Sequence, residues 1–409
     1  MAKTKPSRPE VTGPLAEYAD GFRAELARLG YTPLSAACQM RLMAHLSRWM
    51  TAEGLSTWVL DMPATERYFA ARRSAGYANE RTVEALGPLL GYLRGLGAVP
   101  LPPAEPSTET GQLLNRFGAY LSAERGLAPR TVTLNVRLAR PFLQQRALER
   151  DGRLDLGQLT AAEARAFVLD QARKQPRSAK RIVTALRSLL RFLHVDGILA
   201  VPLAGAVPSP AGHALAGLPR ALEPGQVEAM LSSCDPATAT GRRDRAVLLL
   251  LSRMGLRAGE VAGLGLDDID WRRGEIAVLG KGNRAERLPL PSEVGAAVAG
   301  YLRRGRPDTA QGRSVFVRVH APHRALTTGG VTMVVFDAAQ RAGLPKMHAH
   351  RLRHTAATAM LQAGSPLAEV GQVLRHRSAL TTAIYAKVDR DALAVLARPW
   401  PVDTSAGVS

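Results

Sequence analysis

Cysteine is nearly missing: Cys38 and Cys234 stand alone in 409 residues, with no C-x-x-C and no zinc-finger spacing. That excludes a disulfide scaffold and a cysteine-built metal site, and two buried free thiols in a reducing compartment are expected. Aromatic residues make up 5% of the chain, too few for the stacking platforms that hold single-stranded nucleic acid. Long apolar runs are also missing. The longest, Val247–Leu251, is far short of the ~20 residues that span a bilayer. The opening MAKTKPSRPE has no apolar stretch of the kind a secretion signal needs. A cytoplasmic protein with no membrane partner is therefore expected. Acidic residues are the remaining shortage, 35 against 54 lysines and arginines, for a net charge of +19. Such a surface attracts polyanions, and duplex DNA presents a charge about every 1.7 Å. Charge alone leaves an acidic membrane surface as the alternative, and it says nothing about chemistry.

What is present is mostly helical periodicity. The length allows two to four domains, each with its own core. Residues 1–12 are basic and proline-containing, a disordered tail by composition. From 13 to 99 apolar residues recur at helical spacing, interrupted by Gly30, Gly54 and Gly76. Pro100, Pro102, Pro103 and Pro106 make 100–107 a stiff linker. Helical spacing resumes over 108–199, a second linker covers 200–219, and 220–400 has a different texture before a short disordered tail at 401–409. The expected fold class is mainly α with a small β-hairpin (α+β) in the C-terminal segment.

The two helical segments read as copies of each other. GYTPLSAA at Gly30 aligns with GLAPRTVT at Gly126, and RTVEALGPLLGYLRGLG at Arg81 aligns with RIVTALRSLLRFLHVDG at Arg181. Shared helical leucines would recur by chance, but the matching arginine, the terminal glycine and the common order of both blocks favour duplication. In the second copy Arg177, Lys180, Arg181, Arg187 and Arg191 recur near helical spacing, a stripe able to track a phosphate backbone. A merely solvated face is the competing reading. The first copy carries only Arg81 and Arg94 in its matching helix.

The C-terminal segment concentrates the chemistry. Arg243–Met254 reads as a helix leading into GLRAGEVAGL, where Gly255 closes one helix and a second starts near Ala258. Arg257 sits at that junction with Glu260 three residues on, and its charge persists at any working pH. Glu275–Leu279 and Glu286–Leu290 read as two strands around Gly280-Lys281-Gly282-Asn283, which puts Lys281 on a turn. Then comes His350-x-Leu352-Arg353-His354. Ser365 reads as a helix cap with Pro366 at the first helical position, and that helix would run to about Arg375. His376 follows, and Tyr385 lies nine positions further on. A bare R-x-x-E or a turn lysine is usually structural when taken singly. Metal binding by the histidines is disfavoured: Arg351 and Arg353 are interleaved and no carboxylate sits among them. A phenol, imidazoles and guanidiniums gathered in this way suit attack by the phenol on a phosphodiester.

Residues 220–397 resemble the tyrosine recombinases, the lambda-type integrases. GLRAGEV, GKGN in a hairpin, HRLRH, LRH and then Tyr385 follow that family's series in order and spacing. The 108–200 segment is similar to the family's helical core-binding domain, which would form with the catalytic domain a C-shaped clamp around double-stranded DNA. The resemblance implies that Tyr385 attacks the scissile phosphate to leave a 3′-phosphotyrosine and a 5′-hydroxyl. It implies that Arg257 and Arg353 hold the non-bridging oxygens, and that Lys281 protonates the departing 5′ oxygen. His350 would take the tyrosine proton or bond the phosphate, His376 would add a donor, and Glu260 would orient the site. No cofactor, metal or ATP is implied, because the phosphotyrosine conserves the bond energy. Strand exchange would pass through a four-way junction in a homotetramer of a bacterial, DNA-associated protein, with a helix over 391–397 docking on the neighbour. A partner recombinase or a directionality factor is a further candidate partner. A type IB topoisomerase, or a non-catalytic DNA-binding protein of the same fold, is the alternative.

Two departures from the family pattern stand out. The family usually has glycine before the third basic residue, where this chain has Arg375. Either the backbone there is left-handed, at about 1 kcal/mol for an arginine, or the helix ends later. The extra N-terminal copy is also not the small arm-binding domain common among integrases.

Overall fold

The computed structural model describes residues 9–77, 82–100, 108–148, 154–208, 221–280 and 285–375. Residues 1–8, the linker from 101 to 107, the turn carrying Lys281, and everything from His376 onward, with Tyr385 and 391–397, lie outside the described residues. The end of the expected 1–12 tail is instead ordered, with Val11 packed on the first core and the Thr12 carbonyl accepting from the Ser47 hydroxyl. By contacts the chain divides into two compact units, Met1–Leu101 with Leu215–Ser409, and Pro102–Ala214.

The first unit opens with α1 (Ala19–Arg28), α2 (Pro33–Ala52), α3 (Met62–Ser74) and α4 (Gly87–Gly95). Their inward residues, among them Phe22, Leu26, Met43, Leu46, Phe69, Leu90 and Leu93, form one core. The second unit contains α5 (Glu109–Ala123), α6 (Pro129–Leu148), α7 (Ala161–Lys174) and α8 (Ala179–Val195) around a core of its own. The two sets share their construction. α2 and α6 each span 20 residues and each start on a proline, at Pro33 and Pro129. Proline suits that place because its missing N–H is unpaired in any first turn. The glycines before them, Gly30 and Gly126, both have positive φ, 83° and 56°. Where α8 runs unbroken, the first copy has a 3-10 turn at Val83–Leu86 before α4, with Pro88 in the helix's opening turn. The second core extends past the expected end at 199: Val207 is fully buried in it, so the first half of the expected 200–219 linker packs as part of the domain.

The rest of the first unit is α9 (Pro224–Ser232), α10 (Ala239–Ser252), α11 (Ala258–Gly263), β1 (Ile269–Asp270), β2 (Glu275–Leu279), β3 (Ala285–Pro289), α12 (Ser292–Arg304), α13 (Thr328–Arg341), α14 (Ala349–Gln362) and α15 (Leu367–Val373). The strands form an antiparallel sheet in the order β1-β2-β3, with Ile276 opposite both Ile269 and Leu288. The hairpin falls where it is expected, one residue early in β3, and β1 adds a strand that two residues are too short to signal. α10 is the central element. It starts four residues before the expected Arg243 because Thr238 caps it, accepting from the Gly241 N–H at 3.0 Å. Val247, Leu248, Leu249, Leu250 and Leu251 are all essentially buried, so this helix is enclosed on every side at its middle. Each such side chain contributes about 1.5–3 kcal/mol of burial. Among the described residues no helix is long and apolar enough to cross a membrane.

Candidate active site

Three short segments meet at the site: the turn from α10 into α11, the first two turns of α14, and the end of α15. Gly255 makes the first turn, at φ 60°, and a Cβ there would meet the Leu374 side chain at 2.7 Å. Glycine is required at this point both by the backbone and by the close approach of the third segment. Arg257 is the residue before α11, extended at ψ 149°, with its side chain 38% exposed. Its N–H donates to Glu260 Oε2 at 2.8 Å and its Nη1 to Glu260 Oε1 at 2.6 Å. One carboxylate therefore both closes the helix start and holds the guanidinium.

α14 carries His350, Arg353 and His354 along one side, as three- and four-residue spacing requires. Arg353 is 1% exposed, and it spends its fork on backbone: Nη1 donates to the Gly255 carbonyl and Nη2 to the Leu374 carbonyl. It thus ties the first segment to the third through the second. The rings of His350 and His354 lie edge to face, 4.2 Å apart. His350 remains reachable by solvent, yet desolvation of its inner face, with the Arg353 and Arg257 charges, lowers its pKa below the usual imidazole value. His354 is pushed down to about 4 by burial, then by His350 and Arg353. Both imidazoles are neutral at pH 7.

The third segment departs from expectation. Pro366, not Ser365, is the residue before α15, extended at ψ 144° with no side-chain cap, and the helix ends at Val373 rather than near Arg375. The serine cannot cap because the proline occupies the cap position itself. Arg375 then adopts φ 54°, the left-handed alternative, which costs an arginine about 1 kcal/mol. Its carbonyl accepts from Arg257 Nη2 at 3.2 Å, and its own Nη2 lies 2.5 Å from Glu260 Oε2. Burial alone would raise the Glu260 carboxyl. The Arg257 amide, the Arg375 charge and the Arg257 guanidinium outweigh it and hold that carboxyl below its ordinary value. Glu260, 8% exposed, is fully ionised at neutral pH.

Of the residues singled out from the sequence, Arg257, Glu260, His350 and Arg353 come together here. Lys281, His376 and Tyr385 lie outside the described residues, although β2 and β3 flank the first and Arg375 immediately precedes the second. The buried ion pair of Arg375 was not legible, because its partner lies 115 positions away. In the second unit, Lys180, Arg181 and Arg191 are exposed on α8. Arg177 lies in the 3-10 turn before that helix, and its side chain is outside what is described. Arg187 is not a free cation on that stripe: Nε and Nη2 both donate to the Val207 carbonyl, at 3.3 and 2.7 Å. It fastens the segment after α8 to the helix.

Comparison with known proteins bears on the whole chain. Residues 220–391 match the phage integrase family. The y4rA protein of Sinorhizobium fredii (strain NBRC 101917 / NGR234), provisionally named an integrase/recombinase, is 39% identical over 401 residues, 97% of this chain and 96% of that one. Tyrosine recombinase XerD of Mycobacterium tuberculosis (strain ATCC 25618 / H37Rv) is 33% identical over 295 residues, 67% of this chain and 92% of that one. The fold is similar to XerH site-specific recombinase bound to palindromic difH substrate, with a TM-score of 0.53 at 19% identity over 72% of this chain and 98% of that one. It is similar too to the Tn1549 transposon integrase in complex with a circular intermediate DNA, with a TM-score of 0.51 at 16% identity over 69% and 99%. The chain belongs to the phage integrase family, the tyrosine recombinases.

Proposed function

We propose that this enzyme is a site-specific recombinase that cuts and rejoins duplex DNA through Tyr385, without metal or ATP. The Tyr385 oxygen forms a bond to the scissile phosphorus as the bond to the 5′ oxygen breaks. The phenol proton passes to His350, and Lys281 gives a proton to the departing oxygen. Arg257, half-exposed, donates to the phosphate and offsets the charge that develops there, with His376 as a further donor. Arg353, 1% exposed and bonded to the Gly255 and Leu374 carbonyls, adds its charge from behind the site rather than the direct contact expected of it. The 5′-hydroxyl of another strand reverses the sequence, and the phosphodiester is restored in a new pairing.

The observation that carries this reading is the cluster of Arg257, Arg353 and His350. Desolvation first, and then the guanidiniums of Arg353 and Arg257, 96 positions apart in the chain, lower the His350 pKa and favour the neutral imidazole, the form able to accept a proton. Glu260 holds Arg257 in place from below. A buried pairing of this sort keeps donors fixed before substrate arrives, which is where most of the gain in such chemistry arises.

Recombination proceeds in a homotetramer on DNA, joined by residues 391–397, and a partner recombinase or directionality factor acts beside it. The second helical unit grips the core site through Lys180, Arg181 and Arg191. The first grips DNA beyond it or contacts a partner. Deleting 1–105 should shorten the footprint if it grips DNA. The test of the chemistry uses purified full-length protein, genomic duplex and no divalent ions. A detergent-resistant, protease-sensitive DNA adduct is expected, and Tyr385→Phe should remove it. Sequencing the trapped ends defines the site, and two marked duplexes carrying it should exchange strands rather than only relax. An adduct that persists in Tyr385→Phe sinks the assignment.

A further inference from the structure

Among the described residues Arg375 alone is a non-glycine with positive φ. Glycine would make the same turn without strain. It would also keep both backbone acceptors formed there, the Leu374 carbonyl for Arg353 and the Arg375 carbonyl for Arg257. The backbone therefore accounts for the turn and not for the arginine, so the reason lies in the side chain.

That side chain is only 3% exposed, although it carries a full charge. Its Nη2 lies 2.5 Å from Glu260 Oε2, its Nη1 donates to the Val373 carbonyl at 3.3 Å, and its Nε is 3.9 Å from the half-exposed Glu286 carboxylate. It is too enclosed to reach a substrate. Its main partner is the carboxylate that also holds Arg257, through the other oxygen. The charges then decide what it does. Arg257 and a buried Glu260 by themselves form a neutral pair, which offers an incoming phosphate only a dipole. With Arg375 on the second oxygen, Arg257, Glu260 and Arg375 together carry a net positive charge, which the half-exposed Glu286 carboxylate 3.9 Å from Arg375 Nε screens only in part, and Arg257 stays fixed without being cancelled.

We infer that Arg375 is a positioning residue for phosphodiester cleavage: by occupying Glu260 it leaves the charge of Arg257 available to the scissile phosphate. This rests on the reading of Arg257 as a phosphate donor.

A single-turnover measurement of covalent adduct formation tests it, with full-length protein on duplex carrying the trapped site. Wild type, Arg375→Gly, Arg375→Lys and Arg257→Ala are each run on ordinary DNA and on DNA with a neutral methylphosphonate at the scissile position. Removing the phosphate charge removes the need to offset it. Arg257→Ala should lose about 100-fold or more on ordinary DNA, and Arg375→Gly roughly a tenth as much, about 10-fold. Both losses should shrink to within about threefold on the methylphosphonate, on the same electrostatic ground. Arg375→Lys, which keeps the charge, should recover most of the rate. The ratio between substrates is taken within one preparation, so a poorly folded fraction cancels. Arg375→Gly cleaving ordinary DNA as fast as wild type overturns the inference, and so does an equal loss on both substrates, the mark of a merely structural lesion. Wild type that forms no adduct overturns the underlying reading instead.

Discussion

The cations of the catalytic segment and those of α8 sit in opposite places. Arg353 and the Arg375 side chain are all but enclosed, and each is committed to named oxygens. Lys180, Arg181 and Arg191 stand in solvent. A buried guanidinium has one geometry and leaves stranded partners when it is removed. An exposed one keeps many rotamers, is screened by salt, and can be replaced by a neighbour. The first kind suits a reaction that needs donors fixed to a fraction of an ångström. The second suits a phosphate backbone that must be held at many points without being read. On the proposed function, a strongly basic chain divides its charge between two tasks, and burial tells them apart.

The comparison breaks most easily at Arg353. Arg353→Ala strands the carbonyls of Gly255 and Leu374 and unfastens the first segment from the third. A loss of about 2–4 kcal/mol is expected, read as a lower urea midpoint, together with adduct formation below detection. Retained stability would mean that the buried arginine is not what joins the segments. Arg257→Ala should leave stability nearly unchanged, since Glu260 keeps Arg375, while adduct formation falls about 100- to 1,000-fold. That split between rate and stability marks a donor to substrate. The exposed cations should behave differently again. Lys180→Gln, Arg181→Gln and Arg191→Gln should weaken binding alike on cognate and unrelated duplex, and each should reduce the slope of log affinity against log salt by about 0.9. Cleavage of DNA already bound should not change. A changed preference among sequences would show that α8 reads bases.

The same division explains what the sequence could disclose. Helical spacing located most of the helices, and the match of GYTPLSAA to GLAPRTVT, 96 positions on, paired the starts of α2 and α6. Those features depend on local pattern, which a linear reading captures. β2 was legible for the same reason, while β1, at two residues, carries no period. Motif order identified Arg257, Glu260, His350 and Arg353 as a set. It did not give the depth of Arg353, because helical spacing fixes the side of a helix a residue faces and not what covers that side. Nor could it show Arg187 turned to Val207, or Arg375 to Glu260, since those bonds join segments that fold next to each other only in three dimensions. The cap expected at Ser365 failed on a local competitor, the extended Pro366 beside it.

The smallest effect separates the two kinds of charge by acidity. A guanidinium keeps its charge at any working pH, whereas an imidazole takes up a proton in acid. His354 has a pKa of about 4 in the fold against an ordinary 6.5, with burial as the first cause and His350 and Arg353 beside it. Its folded value is depressed, so between those limits the unfolded chain binds a proton that the folded chain does not. The stability it contributes is therefore complete above about pH 6.5 and is lost as the pH falls towards 4. His350 is shifted in the same direction and adds to the loss. Replacing His354→Asn removes one of the two titrations and keeps a polar side chain of similar size. The melting temperature of the variant should then fall less than that of wild type between pH 7 and pH 5, while α8 variants follow the wild-type curve. A curve for His354→Asn that coincides with wild type would place the acid sensitivity outside α14, and with it the claim that burial governs how this cluster responds to protons.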